Sequence, residues 1–257
     1  MSSLEESVSP PVETTDVLGL PIAPLTFDES MERIERLIEA RESSYFITAN
    51  LNYAMLSARD AHLRTINRDA AFILADGMPL VWASRGGSRP IPERVAGSDL
   101  IFAIGELAAR KDYGIFIFGG APGVAEMASR RLEERYPGLR VVGTLSPPFR
   151  EFTVEENAAI VEQIRAARPD VLILAFGQPK GEIWIHEHCR VLGVPLSTQL
   201  GASIDFAADR VRRAPRWIQR IGGEWVFRLA CEPRRLFTRY WANGLFFLRA
   251  LLVKSRR

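Results

Sequence analysis

Asp76 and Gly77 close a short apolar run, residues 70–75. A carboxylate at the end of a buried strand can take a proton from a substrate hydroxyl within hydrogen-bond reach. The same dipeptide also suits a turn or the cap of a following helix, and both readings stand at this stage. Thr48, Asn50 and Asn52 crowd the end of another run, residues 44–49. In extended backbone, positions two apart share a face, so the three side chains are expected along one wall of a pocket. Turn chemistry is the alternative, because Asn tolerates left-handed backbone. Gly119, Gly120 and Gly123 follow a third run, with Pro122 poised for the first turn of a helix. Glycines there let backbone amides approach a phosphate at a helix N-terminus. A tight strand-to-helix turn without a ligand explains them equally well. No Gly-Lys-Ser/Thr follows, which excludes a Walker loop. His186, His188 and Cys189 resemble a metal cluster only in one dimension, since positions two apart on a helix do not face each other. No Asp-x-Asp occurs, so the carboxylate pair that would hold a metal–nucleotide complex is missing. No cofactor and no metal are expected, and any departing diphosphate must be met by Arg, Lys and helix dipoles.

The elements that position these residues can be read from the hydropathy pattern. β-branched and apolar runs at 44–49, 70–75, 113–118, 139–144, 171–176 and 194–200 alternate with helical patterns such as 123–136 and 154–167. Such repetition predicts an α/β fold, a Rossmann-like, mostly parallel sheet with helices on both faces. Ligands of such sheets bind beyond the carboxyl ends of the strands. The polar and glycine residues fall there, including Gln178 and Lys180 after the fifth run and Gly201 after the sixth.

Composition adds a partner. The last 48 residues hold 13 of the 33 basic residues and 2 of the 31 acidic ones, so a chain of net charge +2 is an acidic body with a basic tail. Aromatic residues interleave with the arginines there: Trp217, Trp225, Phe227, Phe237, Tyr240, Trp241, Phe246 and Phe247. Trp and Tyr suit the headgroup layer while Arg attracts anionic lipid, which favours an anionic membrane surface over nucleic acid. Packing on the body or in a homo-oligomer is the other alternative. No apolar run long enough to span a bilayer is present, because Arg239, Asn243 and Arg249 interrupt the best candidate. Residues 1–16 read as a disordered lead without signal-peptide character, 17–209 as the α/β core, and 210–257 as a basic, aromatic-rich helical appendage. Two cysteines suggest no disulfide framework, and a cytoplasmic setting is expected.

Seven motifs in order carry a resemblance: TANLNY, ILADGMPLVWASR, ERVAGSDL, IFGGAPGVAE, PDVLILAFGQPKGEIWI, LGASIDFAADRVRRAPRW and GGEWVFRLACEPRRLFTRYW. Together they resemble the WecG/TagA/CpsF family of bacterial glycosyltransferases from about residue 18 to 240. The resemblance implies an inverting, metal-independent transfer of a hexose-type sugar from a UDP-sugar donor to a polyprenyl-diphosphate-linked acceptor. It places the enzyme in cell-surface polysaccharide biosynthesis, peripheral on the inner face of the cytoplasmic membrane. It makes Asp76 the catalytic base, with Thr48 and Asn50 beside the reacting groups. It makes Arg94 a phosphate contact and Arg213, Arg228 and Arg235 candidates for the diphosphate, where Arg offers a two-pronged fork. Asn52, Gly119, Gly120, Gly123, Gln178, Lys180, Glu182 and Asp205 complete the expected substrate-binding set. Two departures stand out. The family's Pro-Lys-Gln-Glu is here Pro179-Lys180-Gly181-Glu182, and its Gly-x-Gly before Phe-Asp is here Gly201-Ala-Ser-Ile-Asp205. The donor sugar is therefore not carried over. The missing amide at Gly181 also leaves a non-catalytic nucleotide-sugar-binding scaffold as the alternative function.

Overall fold

A computed structural model describes residues 12–254 apart from 149, 212, 213, 216, 217, 219–221 and 232. The first described elements form an antiparallel hairpin, β1 (Thr15–Val17) and β2 (Leu20–Ile22). Its two turn residues, Leu18 and Gly19, both take positive φ, the geometry that matches the strand twist in a two-residue hairpin. Just past β2, the Ala23 N–H donates to Ile73 O at 2.9 Å, which ties the hairpin's exit to the edge strand of the main sheet.

Helix α1 (Phe27–Ala40) starts on a capping box, with Thr26 and Glu29 satisfying each other's backbone N–H. There follow β3 (Ser44–Ala49), α2 (Leu51–Arg59), α3 (Ala61–Asp69), β4 (Phe72–Ala75), α4 (Met78–Ser84) and α5 (Gly97–Lys111). Next come β5 (Gly114–Gly119), α6 (Val124–Arg135), β6 (Arg140–Leu145), α7 (Val154–Ala167) and β7 (Val171–Ala175). The core closes with α8 (Lys180–Leu192), β8 (Leu196–Gln199) and the short α9 (Ser203–Ala207). Two helices end the described chain, α10 (Glu224–Cys231) and α11 (Pro233–Lys254).

Strands β3 to β8 form one six-stranded sheet in the order β4-β3-β8-β7-β5-β6, with every pairing parallel. Burial on both faces explains the nearly unbroken apolar runs of β4, β5 and β7. One core contains Tyr45, Ile47, Phe118, Leu174, Ile185 and Tyr53. The other, on the opposite face, contains Phe46, Ile101, Ile117, Ile173 and Ile204. The central neighbours β3 and β8 therefore send their following helices, α2 and α9, to opposite faces. The carboxyl ends of strands whose helices diverge in this way are the place where open α/β sheets take ligands.

Candidate active site

The parallel register sets the carboxyl ends of β4, β3 and β8 side by side: Ala49 stands opposite Ala75, and Ile47 opposite Gln199. Asp76 is the first residue past β4, and its N–H donates to Ala49 O at 2.7 Å, which fixes it beside the end of β3. The N-cap position of α4 is Gly77, one residue after Asp76.

Asn50 is the N-cap of α2, where its Oδ1 accepts the Tyr53 N–H at 3.1 Å. The cap consumes Oδ1 and leaves the Nδ2 donors, and a Cβ added at Gly77 would lie 3.9 Å from Asn50 Cβ. Asn50 therefore serves the helix and adjoins the Asp76–Gly77 step at once. Thr48 is buried, its hydroxyl donating to Gln199 O at 3.3 Å, while its carbonyl accepts from Gln178 Nε2 at 3.2 Å. The expectation of one extended wall fails at Asn52. The strand stops at Ala49 and Asn52 sits in the first turn of α2, so it does not continue the face of Thr48.

Arg94 reaches the same place from the following segment, because the Val95 N–H donates to Ala75 O at 3.0 Å. Its guanidinium pairs with Glu224 of α10 and lies 3.8 Å from Asp99 at the start of α5. Burial alone would lower its pKa; Glu224, with Asp76 and Asp99 adding to it, holds it above the ordinary range. The phosphate contact expected of Arg94 therefore meets a cation already ringed by three carboxylates.

The glycines divide. Gly119 has φ +117°, and a Cβ there would lie 2.9 Å from the Ala175 backbone, so strand packing itself demands glycine. The Gly120 N–H is spent on Ala175 O at 3.0 Å. Gly123 alone of the three stands open: it precedes α6 and a Cβ there would meet nothing within 4 Å. Packing thus accounts for Gly119 and Gly120 without a ligand, whereas Gly123 keeps the helix N-terminus accessible.

Glu182, in the first turn of α8, is the group whose state the sequence does not disclose. It is 1% exposed, and among the described residues neither carboxylate oxygen has a hydrogen-bond partner. Burial pushes it up to about 7; its own N–H and the Gln178 amide pull the other way without closing a bond of good geometry. One residue earlier, Gly181 is explained by Gln199. A Cβ at 181 would lie 2.5 Å from Gln199 Cδ. The Gln199 amide is held there by Phe176, accepting from its N–H at 3.2 Å and donating to its carbonyl. Gln199, absent from the sequence-derived set, is the side chain that fills the gap left by Gly181.

Lys180 is exposed at the head of α8, and Asp205 is half-buried in α9. Arg213 lies outside the described residues, and for Arg228 and Arg235 only the backbone, in α10 and α11, is described. Among the described residues no group of three or more His, Cys, Asp or Glu is arranged to hold a metal ion.

A sequence model of the glycosyl transferase WecG/TagA/CpsF family matches residues 15–257. The chain is 27% identical over 198 residues to the N-acetylglucosaminyldiphosphoundecaprenol N-acetyl-β-D-mannosaminyltransferase of Bacillus spizizenii, covering 77% of this chain and 75% of that one. It is 26% identical to the protein of the same name in Bacillus subtilis, covering 87% of this chain and 86% of that one. For the protein of that name in Staphylococcus aureus the identity is 26%, with 86% of each chain covered. A family match that spans nearly the whole chain, over a parallel sheet with Asp76 at its carboxyl edge, means that this chain belongs to the WecG/TagA/CpsF family of glycosyl transferases.

Proposed function

We propose that the chain transfers a hexose-type sugar from a UDP-sugar to a polyprenyl-diphosphate-linked saccharide in cell-surface polysaccharide biosynthesis. The observation that carries this is the position of Asp76: just past the end of β4, its N–H bonded to the end of β3, on the carboxyl edge of the sheet with Asn50 and Arg94. The relatives above, named for transfer to N-acetylglucosaminyldiphosphoundecaprenol, support an acceptor of that class. Asp76 takes the proton of the acceptor hydroxyl as that oxygen attacks the sugar C1. The new C1–O bond forms as the C1–O bond to the diphosphate breaks, UDP leaves with the electron pair, and the anomeric centre inverts. The open N-terminus of α6 at Gly123 is the described element suited to a phosphate, with Arg213, Arg228 and Arg235 as further cations. No metal enters this scheme.

The scaffold alternative draws on Gly181, but the fit of Gln199 into that space gives the glycine a packing reason and favours catalysis. The C-terminal helices supply the membrane contact. Phe237, Trp241, Leu245, Leu248 and Leu252 recur at helical spacing along α11 and are exposed. Among the described residues no helix is long and apolar enough to cross a membrane. Contact on the inner face of the cytoplasmic membrane is the arrangement these residues fit, with a homo-oligomer as the competing use of the stripe and no role for nucleic acid.

The test is UDP release from a panel of UDP-sugars, UDP-N-acetylmannosamine among them, with a synthetic polyprenyl-diphosphate-N-acetylglucosamine acceptor and EDTA present. Acceptor-dependent release is expected with one donor, and Asp76→Asn should lower it by roughly 100-fold or more while UDP binding persists. Activity of that variant within a few-fold of wild type would remove Asp76 as the base.

A further inference from the structure

We propose that Gln199 is a positioning residue for the transfer: from the inner strand β8 it closes a ring of hydrogen bonds that sets Thr48 and Gln178 at the carboxyl end of the sheet. The inference rests on the reading of that edge as the transferase site.

Gln199 is the last residue of β8 and is 2% exposed. Its Oε1 accepts the Phe176 N–H at 3.2 Å, and its Nε2 donates to Phe176 O. Phe176 is the first residue past β7, and two residues further on Gln178 Nε2 donates to Thr48 O at 3.2 Å. The Thr48 hydroxyl donates in turn to Gln199 O at 3.3 Å. The ends of β3 and β8 and the connection from β7 to α8 are thereby closed into one ring. Thr48 is held through its carbonyl and its hydroxyl at once. The next residue, Ala49, accepts the Asp76 N–H at 2.7 Å, so whatever fixes the end of β3 also fixes the start of the segment that carries Asp76.

A buried amide is costly unless its donor and acceptor are both met, and an apolar side chain of similar length would fill the space beside Gly181 without that risk. What it could not do is hold Phe176 by both backbone groups. The pairing of β7 with β8 ends at Leu174 and Gln199, so past this point a side chain takes over from the ladder. Gly181 is the ring's other requirement, since a Cβ there would fall 2.5 Å from Gln199 Cδ and push the amide off Phe176. Without the clamp, the connection that carries Gln178 is released from β8, and Thr48 loses the partner that fixes its carbonyl. Misplacement of about 1 Å beside reacting atoms lowers a rate by up to about 100-fold.

The experiment uses the full chain and the UDP-release assay. Gln199→Met keeps length and removes both polar groups. We expect kcat to fall roughly tenfold or more, with the Kd for UDP within about twofold, because the open helix end assigned to phosphate follows β5 and lies outside the ring. The deciding variant is Gln178→Ala combined with Gln199→Met. Once the ring is opened at Gln178, the second change should add little, and kcat of the double variant should stay within about twofold of the slower single variant. A merely structural role predicts that Gln199→Met, assayed well below its thermal unfolding, turns over like wild type. Hydrogen exchange at the Phe176 N–H should quicken in Gln199→Met, which reports the clamp itself. If Gln199→Met does not fold, Gly181→Ala displaces the same amide while leaving every hydrogen-bonding group in the chain, and the same fall and the same lack of additivity with Gln178→Ala are expected. A kcat within about twofold of wild type, or losses that multiply, overturns the positioning role. Wild-type protein that releases no UDP from any donor would instead overturn the transferase reading, so the two failures are told apart.

Discussion

Among single residues, Glu182 is where local stability has been sacrificed. A carboxyl group enclosed without a hydrogen-bond partner is destabilising in its charged form, and such groups concentrate at functional sites. Its proton is held in the fold up to about pH 7, against 4.5 in the ordinary state. Between these limits the folded chain binds the extra proton, so stability falls as pH rises through the window and stays low above it. Glu182→Gln removes that penalty. The variant should be more stable than wild type above about pH 7, by up to about 3 kcal/mol, with the gap closing toward pH 4.5. Urea unfolding of both proteins at acidic and alkaline pH checks this, and a gap independent of pH would mean that the carboxyl finds a partner. The sequence shows Glu182 only as a position in a motif. Its burial depends on α8 packing over the sheet, which no local pattern reveals. Asp76 is visible in the sequence as a carboxylate ending an apolar run, but its backbone tie to Ala49 comes from the sheet register and not from the local pattern. The Arg94–Glu224 pair spans 130 residues and could not be read at all.

At the level of elements, the start of α8 against β8 shows how much glycine placement depends on neighbours. Gly181 has no unusual backbone; it is glycine because Gln199 occupies the place of its Cβ while clamping both polar groups of Phe176. Gly181→Ala must push that amide away. It should cost about 1–3 kcal/mol through overpacking. Gln199→Ala should cost a similar amount by stranding the Phe176 N–H and carbonyl. Because one displacement accomplishes much of the other, the two costs should fall short of additive by about 1 kcal/mol in a denaturation cycle. Additivity within about 0.5 kcal/mol would show that the two sites do not communicate. The six main strands were legible to within a residue or two, since strands buried on both faces appear as apolar runs. The β1–β2 hairpin was not, because strands of three residues leave no periodicity to detect. Gly119 and Gly120 looked like a phosphate loop for a similar reason: close approach of β5 to β7 is a property of the sheet rather than of the segment.

On the scale of the whole molecule, α11 has a buried and an exposed side, which changes how a membrane role must be tested. Leu236 and Asn243 of α11 are buried, and Phe246 and Phe247 pack on the core beneath α2. Deleting the helices would therefore strip the core as well as the outer stripe, and loss of lipid binding would prove little. Point changes on the exposed side avoid this. Trp241 is 64% exposed and Phe237 59%, stacked ring on ring, with Arg234, Arg239 and Arg249 exposed on the same helix. Aromatic insertion and cation attraction contribute together at an anionic interface, each cation adding about 1 kcal/mol near the surface. Phe237→Ser with Trp241→Ser should leave thermal unfolding and UDP binding unchanged while releasing the protein from phosphatidylglycerol vesicles in flotation. Activity on a short-chain, water-soluble acceptor should survive, whereas activity on a vesicle-borne acceptor should fall roughly tenfold or more. If the variant still floats, the stripe does not hold the membrane. If flotation is unchanged and sedimentation shows a smaller species, the stripe is an interface between copies of the chain. Should the membrane outcome hold, the same helix that packs on the core through Leu236, Asn243, Phe246 and Phe247 also holds the membrane through its outer stripe, so the lipid surface and the sheet are fixed relative to each other by one element.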